Sequence, residues 1–108
     1  LRRDARASQP ASVALHLSDL RIDPASREVR VGETLLDLRT KEFDLLLTLA
    51  ENRGRVLSRE KLLQLAWGFD FYGQTRTVDV HVAHLRKKMA ASDVQIETVT
   101  GVGYKLVA

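Results

Sequence analysis

The sequence predicts an α+β fold in one domain: a meander of short antiparallel strands, three helices, then a C-terminal β-hairpin. Three observations carry this. Apolar residues alternate up to Leu38, take a helical period from Thr40, and return to β-rich runs after Ser92. Turn-forming residues mark each change. The length, 108 residues, suits a single domain that buries a real core.

The elements follow in chain order. Residues 1–12 (LRRDARASQPAS) are polar, Ala/Ser-rich and contain Pro10, which reads as a linker ahead of a domain over 13–108. The chain opens on Leu1, as a piece of a longer protein would. Val13, Leu15 and Leu17 alternate as in a half-buried strand, and Leu20 and Ile22 extend the pattern. Asp23-Pro24-Ala25-Ser26 supplies turn chemistry. Glu28–Val31 and Leu35–Leu38 read as further strands around Gly32. From Thr40 to Asn52, Phe43, Leu46, Leu47 and Ala50 share a helix face that Leu45 and Leu49 widen. Thr40 is the expected cap, Glu42 suits the helix dipole, and Asn52-Arg53-Gly54 ends the helix. Ser58 caps a second helix running to about Ala66, with Leu62, Leu65 and Ala66 on one face. A third helix spans Thr75 to Met89. Two β-rich runs, Val94–Val99 and Tyr104–Val107, then flank a Gly-x-Gly turn.

Composition narrows the function. With no cysteine there is no disulfide scaffold, thiol nucleophile or thiolate metal ligand. No apolar run exceeds Leu45–Leu47, and no signal-peptide apolar segment opens the chain, so the expectation is a cytoplasmic protein off the membrane. The excess of 17 Lys+Arg over 14 Asp+Glu is localised. Arg2, Arg3 and Arg6 face only Asp4 in the N-terminal tail, and Arg76, Arg86, Lys87 and Lys88 face only Asp79 in the third helix. Localised positive charge attracts polyanions.

On a helical wheel Val78, Val82, Leu85 and Met89 form the inner face of that third helix. Arg76, Val80, Ala83, His84 and Lys87 form the outer face, flanked by His81, Arg86 and Lys88. Small residues allow close approach, donors suit base edges, and cations at the rims suit phosphates. An exposed Val80 fits a thymine methyl. Two helices, a basic helix and a Gly-tipped hairpin, in this order, make the winged helix-turn-helix arrangement.

Four segments carry a family resemblance: DLRIDPASREVRV at 19–31, KEFDLLLTLAENRGRVLSREKLLQLAWG at 41–68, TRTVDVHVAHLRKKM at 75–89 and TVTGVGYKL at 98–106. The chain resembles the DNA-binding effector domain of OmpR/PhoB-type two-component response regulators from Val13 to Val107. The resemblance implies a four-stranded N-terminal sheet before the three helices and the wing. It implies a transcription factor domain that follows a phosphorylatable receiver domain, itself the target of a sensor histidine kinase. It implies double-stranded DNA as partner, bound at direct repeats by a tandem dimer of a domain that is monomeric when free. No cofactor or metal is implied.

Residue by residue, Trp67, Arg76, His81, Arg86, Lys87 and Thr98 resemble the family's phosphate contacts. Thr77, Val80, Ala83 and His84 stand where members touch base edges. Thr100, Gly101, Val102 and Gly103 form the wing tip. Gly68, Phe69, Asp70, Phe71, Tyr72 and Gly73 occupy the loop through which members reach RNA polymerase. Some members carry Arg at the Thr100 position and Arg-Arg at the positions of Ala83 and His84, so this chain departs from them in wing and groove readout. The family's helix-capping Ser or Thr falls on Arg39.

His81 and His84 could join Asp79 or His16 around a metal, but no further ligand lies near in sequence. Asp79 reads better as an acid that orients an Arg, either Arg86 or one on a neighbouring element. Tyr104 reads as core, and Ser58 as a cap rather than a nucleophile. A hydrolase or metal enzyme lacks a complete catalytic constellation here, so the expectation is a non-enzyme. A winged-helix protein-interaction module would carry a neutral or acidic third helix rather than this basic one.

Overall fold

The computed structural model describes residues 14–108. The expected linker over 1–12, and Val13 with it, lies outside them. Strands β1 (Leu15–Leu17), β2 (Leu20–Asp23), β3 (Glu28–Val31) and β4 (Thr34–Leu35) form an antiparallel meander in sequential order. Tight turns need left-handed backbone, and Ser18 (φ 55°) and Arg27 (φ 56°) adopt it between these strands. Leu17, Leu20, Ile22 and Val29 point to the core. The last strand is shorter than the expected Leu35–Leu38. Only Thr34 and Leu35 pair with β3, and the Leu36 N–H still reaches the Val29 carbonyl at 2.8 Å. Beyond it Leu36 and Leu38 lean on the core while the Asp37 carbonyl accepts from Lys88 Nζ at 2.8 Å.

Helix α1 (Thr40–Glu51) buries Phe43, Leu45, Leu46, Leu49 and Ala50, whereas Leu47 is only half-buried. Its cap is Arg39, not Thr40, which is the first helical residue. An arginine side chain has donors only and accepts nothing from the helix N–H groups. Glu42 compensates from inside, its Oε1 accepting from the Arg39 N–H at 2.9 Å. Strand β5 (Leu57–Ser58) runs straight into α2 (Arg59–Trp67), whose Lys61 N–H donates to Ser58 Oγ at 3.0 Å. The buried residues of α2 are Leu62, Leu63 and Ala66. Leu65, expected inside, is 41% exposed. Gly68 ends the helix at φ 106°, a backbone that favours glycine.

Helix α3 (Arg76–Lys88) lays Val78, Val82 and Leu85 on the core, and Met89 follows them in. Strands β6 (Gln95–Val99) and β7 (Gly103–Val107) form the hairpin, and β5 pairs with β7 to make a three-stranded sheet. Sequence reading missed β5, which is two residues long. It also placed Gly103 in the turn. The left-handed residue there is Gly101 (φ 78°), while Gly103 lies buried in β7, where a Cβ would run into the Leu57 carbonyl. One core unites both sheets with the helices, with Leu20, Leu46, Leu62, Val78, Leu85 and Leu106 at its centre.

Candidate nucleic-acid interface

The 13 residues of α3 make a rod about 20 Å long, of a calibre that enters a B-DNA major groove. Its inner face is fixed by burial, so its outer face is fixed too. Arg76, Val80, Ala83, His84 and Lys87 all lie exposed there, Val80 at 43%. Thr77 and His81 are half-buried at its margin. Arg76 and Lys87 make no salt bridge or side-chain hydrogen bond among the described residues. Arg86, Lys87 and Lys88 also suit the negative end of the helix dipole.

The wing is tied to this helix by two devices. Arg86 donates from Nε and Nη2 to the Ile96 carbonyl, at 3.0 and 2.6 Å, and from Nη2 to Thr98 Oγ1 at 2.7 Å. Its Cζ also lies 5.6 Å from the Tyr104 ring centroid. Two of its three nitrogens are therefore committed to the protein. Nη1 is the one with no hydrogen bond among the described residues. Thr98 Oγ1, by accepting from Arg86, leaves its own O–H to donate outward.

Asp79 is the second device. Its Oδ2 accepts from Arg59 Nη1 at 2.9 Å and its Oδ1 from the Tyr104 O–H at 2.6 Å. The arginine it orients comes from α2, not from its own helix. Burial, the bond to Asp79 and the Asp79 charge push the Tyr104 phenol up, against the opposing charges of Arg86 and Arg59. Tyr104 is buried, so it joins core and wing as expected. Beyond it the wing tip is open: Thr100, Gly101 and Val102 are exposed, Val102 at 56%.

Trp67 is the last residue of α2 and is half-buried against α3. Its ring meets His81 edge to face at 4.9 Å between centroids. His81 is aimed by its Nδ1, 2.8 Å from the Thr77 carbonyl, which puts the ring proton on Nδ1. The loop after Trp67 exposes Phe69 at 71%, Phe71 at 40% and Tyr72 at 95%. Three aromatics are thus turned to solvent within four residues. Gly68, Asp70 and Gly73 shape this loop beside them.

Glu42 is the residue that sequence reading undervalued. It is 1% exposed, yet it holds Lys88 Nζ at 2.7 Å and lies 3.6 Å from His84 Nδ1. Burial alone raises a carboxyl. Here the Lys88 and Arg39 hydrogen bonds, with the charges of Lys88 and His84, hold Glu42 below the ordinary carboxylate range. The one signal in the sequence was its place three residues after the cap. Among the described residues no group of three or more His, Cys, Asp or Glu could hold a metal. No helix among them is long and apolar enough to cross a membrane.

Three comparisons bear on this surface. The family described as "Transcriptional regulatory protein, C terminal" matches residues 32–106. The chain is similar to the transcriptional regulatory protein TrcR of Mycobacterium tuberculosis, 43% identical over 107 residues, covering 98% of this chain and 42% of TrcR. It is similar to the alkaline phosphatase synthesis transcriptional regulatory protein PhoP of Bacillus subtilis, 46% identical over 93 residues, covering 83% of this chain and 39% of PhoP. The chain thus spans about two-fifths of the length of these relatives. Among solved structures, the Klebsiella pneumoniae RstA DNA-binding domain in complex with RstA box superposes with a TM-score of 0.77 at 35% identity, covering 87% of this chain and 96% of that one.

Proposed function

Because the chain belongs to the family of transcriptional regulatory protein C-terminal domains, we propose that it binds double-stranded DNA sequence-specifically as the output domain of a two-component response regulator. The observation that carries this is the outer face of α3. Two cations with no bonded partner among the described residues flank small and hydrogen-bonding residues there, beside a wing held in place by Arg86. Arg76, Lys87, the Trp67 N–H, His81, Arg86 Nη1 and the Thr98 hydroxyl capture phosphates and set register. Thr77, Val80, Ala83 and His84 then meet base edges in the major groove. The tip at Thr100–Gly103 follows the flanking backbone. With Thr at 100 it lacks a cation for the minor groove.

The exposed aromatics of the loop over 68–73 are assigned to RNA polymerase. Residues 1–12 join the domain to a receiver that a sensor histidine kinase phosphorylates in the cytoplasm. Free domains are monomers and pair in tandem on direct repeats. The test is selection of bound sequences from a random duplex library, followed by anisotropy titrations at several salt concentrations. An enriched direct repeat spaced by about one helical turn (10–11 bp) is the expected result. Binding without an enriched sequence, or none at low salt, would sink the reading.

A further inference from the structure

The cap of α1 carries a side chain of the wrong chemistry for a cap. Helix caps favour Ser, Thr, Asp and Asn, whose side-chain oxygen accepts from the first N–H groups. Arg39 stands there and offers donors only. Its backbone N–H is held by Glu42 Oε1 at 2.9 Å, while its side chain lies exposed. Arg39, Glu42, His84, Lys87 and Lys88 line one open cleft of about 360 Å³, between the start of α1 and the C-terminal half of α3. The one acid in this wall, Glu42, is 1% exposed and holds Lys88 Nζ at 2.7 Å. These two charges offset each other, so Arg39 and Lys87 leave the cleft positive, with the partly exposed His84 ring beside them. The two helices are also fixed to one another here. Lys88 ties the start of α1 to α3 through Glu42 and through the Asp37 carbonyl at 2.8 Å, which holds the Arg39 backbone at a set place beside Lys87.

We propose that Arg39 is a DNA contact supplied from outside α3, and that with Lys87 it seats one backbone phosphate in this cleft. This rests on the docking of α3 proposed above. A helix about 10–12 Å across with its side chains fills a groove about 12 Å wide. A side chain that borders the outer face from a neighbouring helix then meets the strand bounding the groove, not the base edges on its floor. The planar guanidinium of Arg39 gives two parallel donors to a phosphate, and Lys87 adds a point charge. Such a contact fixes register and carries no base preference. A capping acceptor is given up for a cation, so stability and affinity pull against each other at this one position.

The experiment uses that opposition. Arg39→Ser removes the cation and adds a hydroxyl that caps α1 three residues ahead of Glu42. In the whole chain the expected Tm is equal or higher, by up to about 4 °C. Affinity for the duplex obtained by library selection, and for a random duplex, is expected to fall about fivefold at about 0.15 M salt. The slope of log K against log salt should fall by about one, with the preferred bases unchanged. Arg39→Lys should keep most of the slope. Neutral methylphosphonates placed one at a time in the selected duplex then locate the seat: at one phosphate, the loss they cause is smaller in Arg39→Ser and in Lys87→Ala than in the unsubstituted chain. Unchanged affinity and slope in Arg39→Ser overturn the proposal. So does a loss accompanied by a lower Tm, which marks a structural role, and so does an altered base preference, which marks a base contact. Different phosphates singled out by the two variants overturn the shared seat. Absence of an enriched sequence with the unsubstituted chain instead overturns the docking on which the proposal rests.

Discussion

Four cations stand on α3, and they divide into two pairs. Arg76 and Lys87 are exposed and make no side-chain bond among the described residues. Arg86 and Lys88 are fastened: one to the Ile96 carbonyl and Thr98, the other to Glu42 and the Asp37 carbonyl. Net charge counts all four alike. In the structure two of the four, Arg86 and Lys88, are bonded within the domain, and the other two have no bonded partner among the described residues. The fastened pair fixes where the helix sits against wing and α1; the open pair faces outward from that frame.

The difference is sharpest when a fastened cation is removed. Lys88→Met leaves the 1% exposed Glu42 carboxylate without its main counter-charge. A fully buried broken pair costs roughly 3–5 kcal/mol, and Lys88 is itself one-third exposed, so a loss of about 2 kcal/mol in unfolding free energy is expected. Denaturant unfolding measures it. A change within about 0.5 kcal/mol, the range of an ordinary surface substitution, would place Lys88 with the open pair.

Arg86 probes the wing. Arg86→Ala removes three hydrogen bonds from a charged donor and should destabilise the domain by roughly 1.5–3 kcal/mol. It should also weaken binding to specific and random duplexes alike. Arg86→Lys separates the causes, because lysine keeps the charge but not the planar fork. If geometry matters, the Lys variant resembles the Ala variant in both Tm and affinity. If Lys restores full affinity, Arg86 acts as a plain phosphate cation.

The open pair should behave in the opposite way. Arg76→Ala and Lys87→Ala are expected to leave stability within about 0.5 kcal/mol. Each should lower affinity for all sequences and reduce the slope of log K against log salt by about one. Salt titrations on a specific and a random duplex check this. A variant that lowers Tm but keeps the slope would reverse its assignment.

Which cations belong to which pair was not legible in the sequence. The period of Val78, Val82, Leu85 and Met89 set the inner face of α3, and with it the exposure of Val80, His84 and Lys87. That is local information, and it held. The engagement of Arg86 depends on where β6 lies, and that of Lys88 on a carboxylate 46 residues away in sequence. No helical period contains either distance. The same reason explains α2, whose inner face proved to be Leu62, Leu63 and Ala66 rather than Leu65. A helix of nine residues offers two adjacent apolar stripes, and the packing partners choose between them. Strand β5 was invisible because Leu57 and Ser58 are too few to show a period, and its mark is Gly103, kept small by the Leu57 carbonyl.

The smallest expected effect concerns the carboxylate that anchors the fastened side. Glu42 is held below the ordinary carboxylate range in the folded protein, because Lys88, the Arg39 N–H and His84 favour its ionised form despite burial. A carboxyl whose folded pKa is depressed contributes stability above its unfolded value, and loses it as pH falls through the folded one. Thermal unfolding from about pH 6 to about pH 3 should therefore cost the unsubstituted chain more Tm than Glu42→Gln. The Gln variant begins lower, lacking the ionised partner for Lys88, and the two curves should converge at the acid end, where a protonated Glu42 resembles glutamine. Parallel curves would mean that Lys88 and Glu42 are neighbours without being a working pair, and the fastened half of the helix charge would shrink to Arg86 alone.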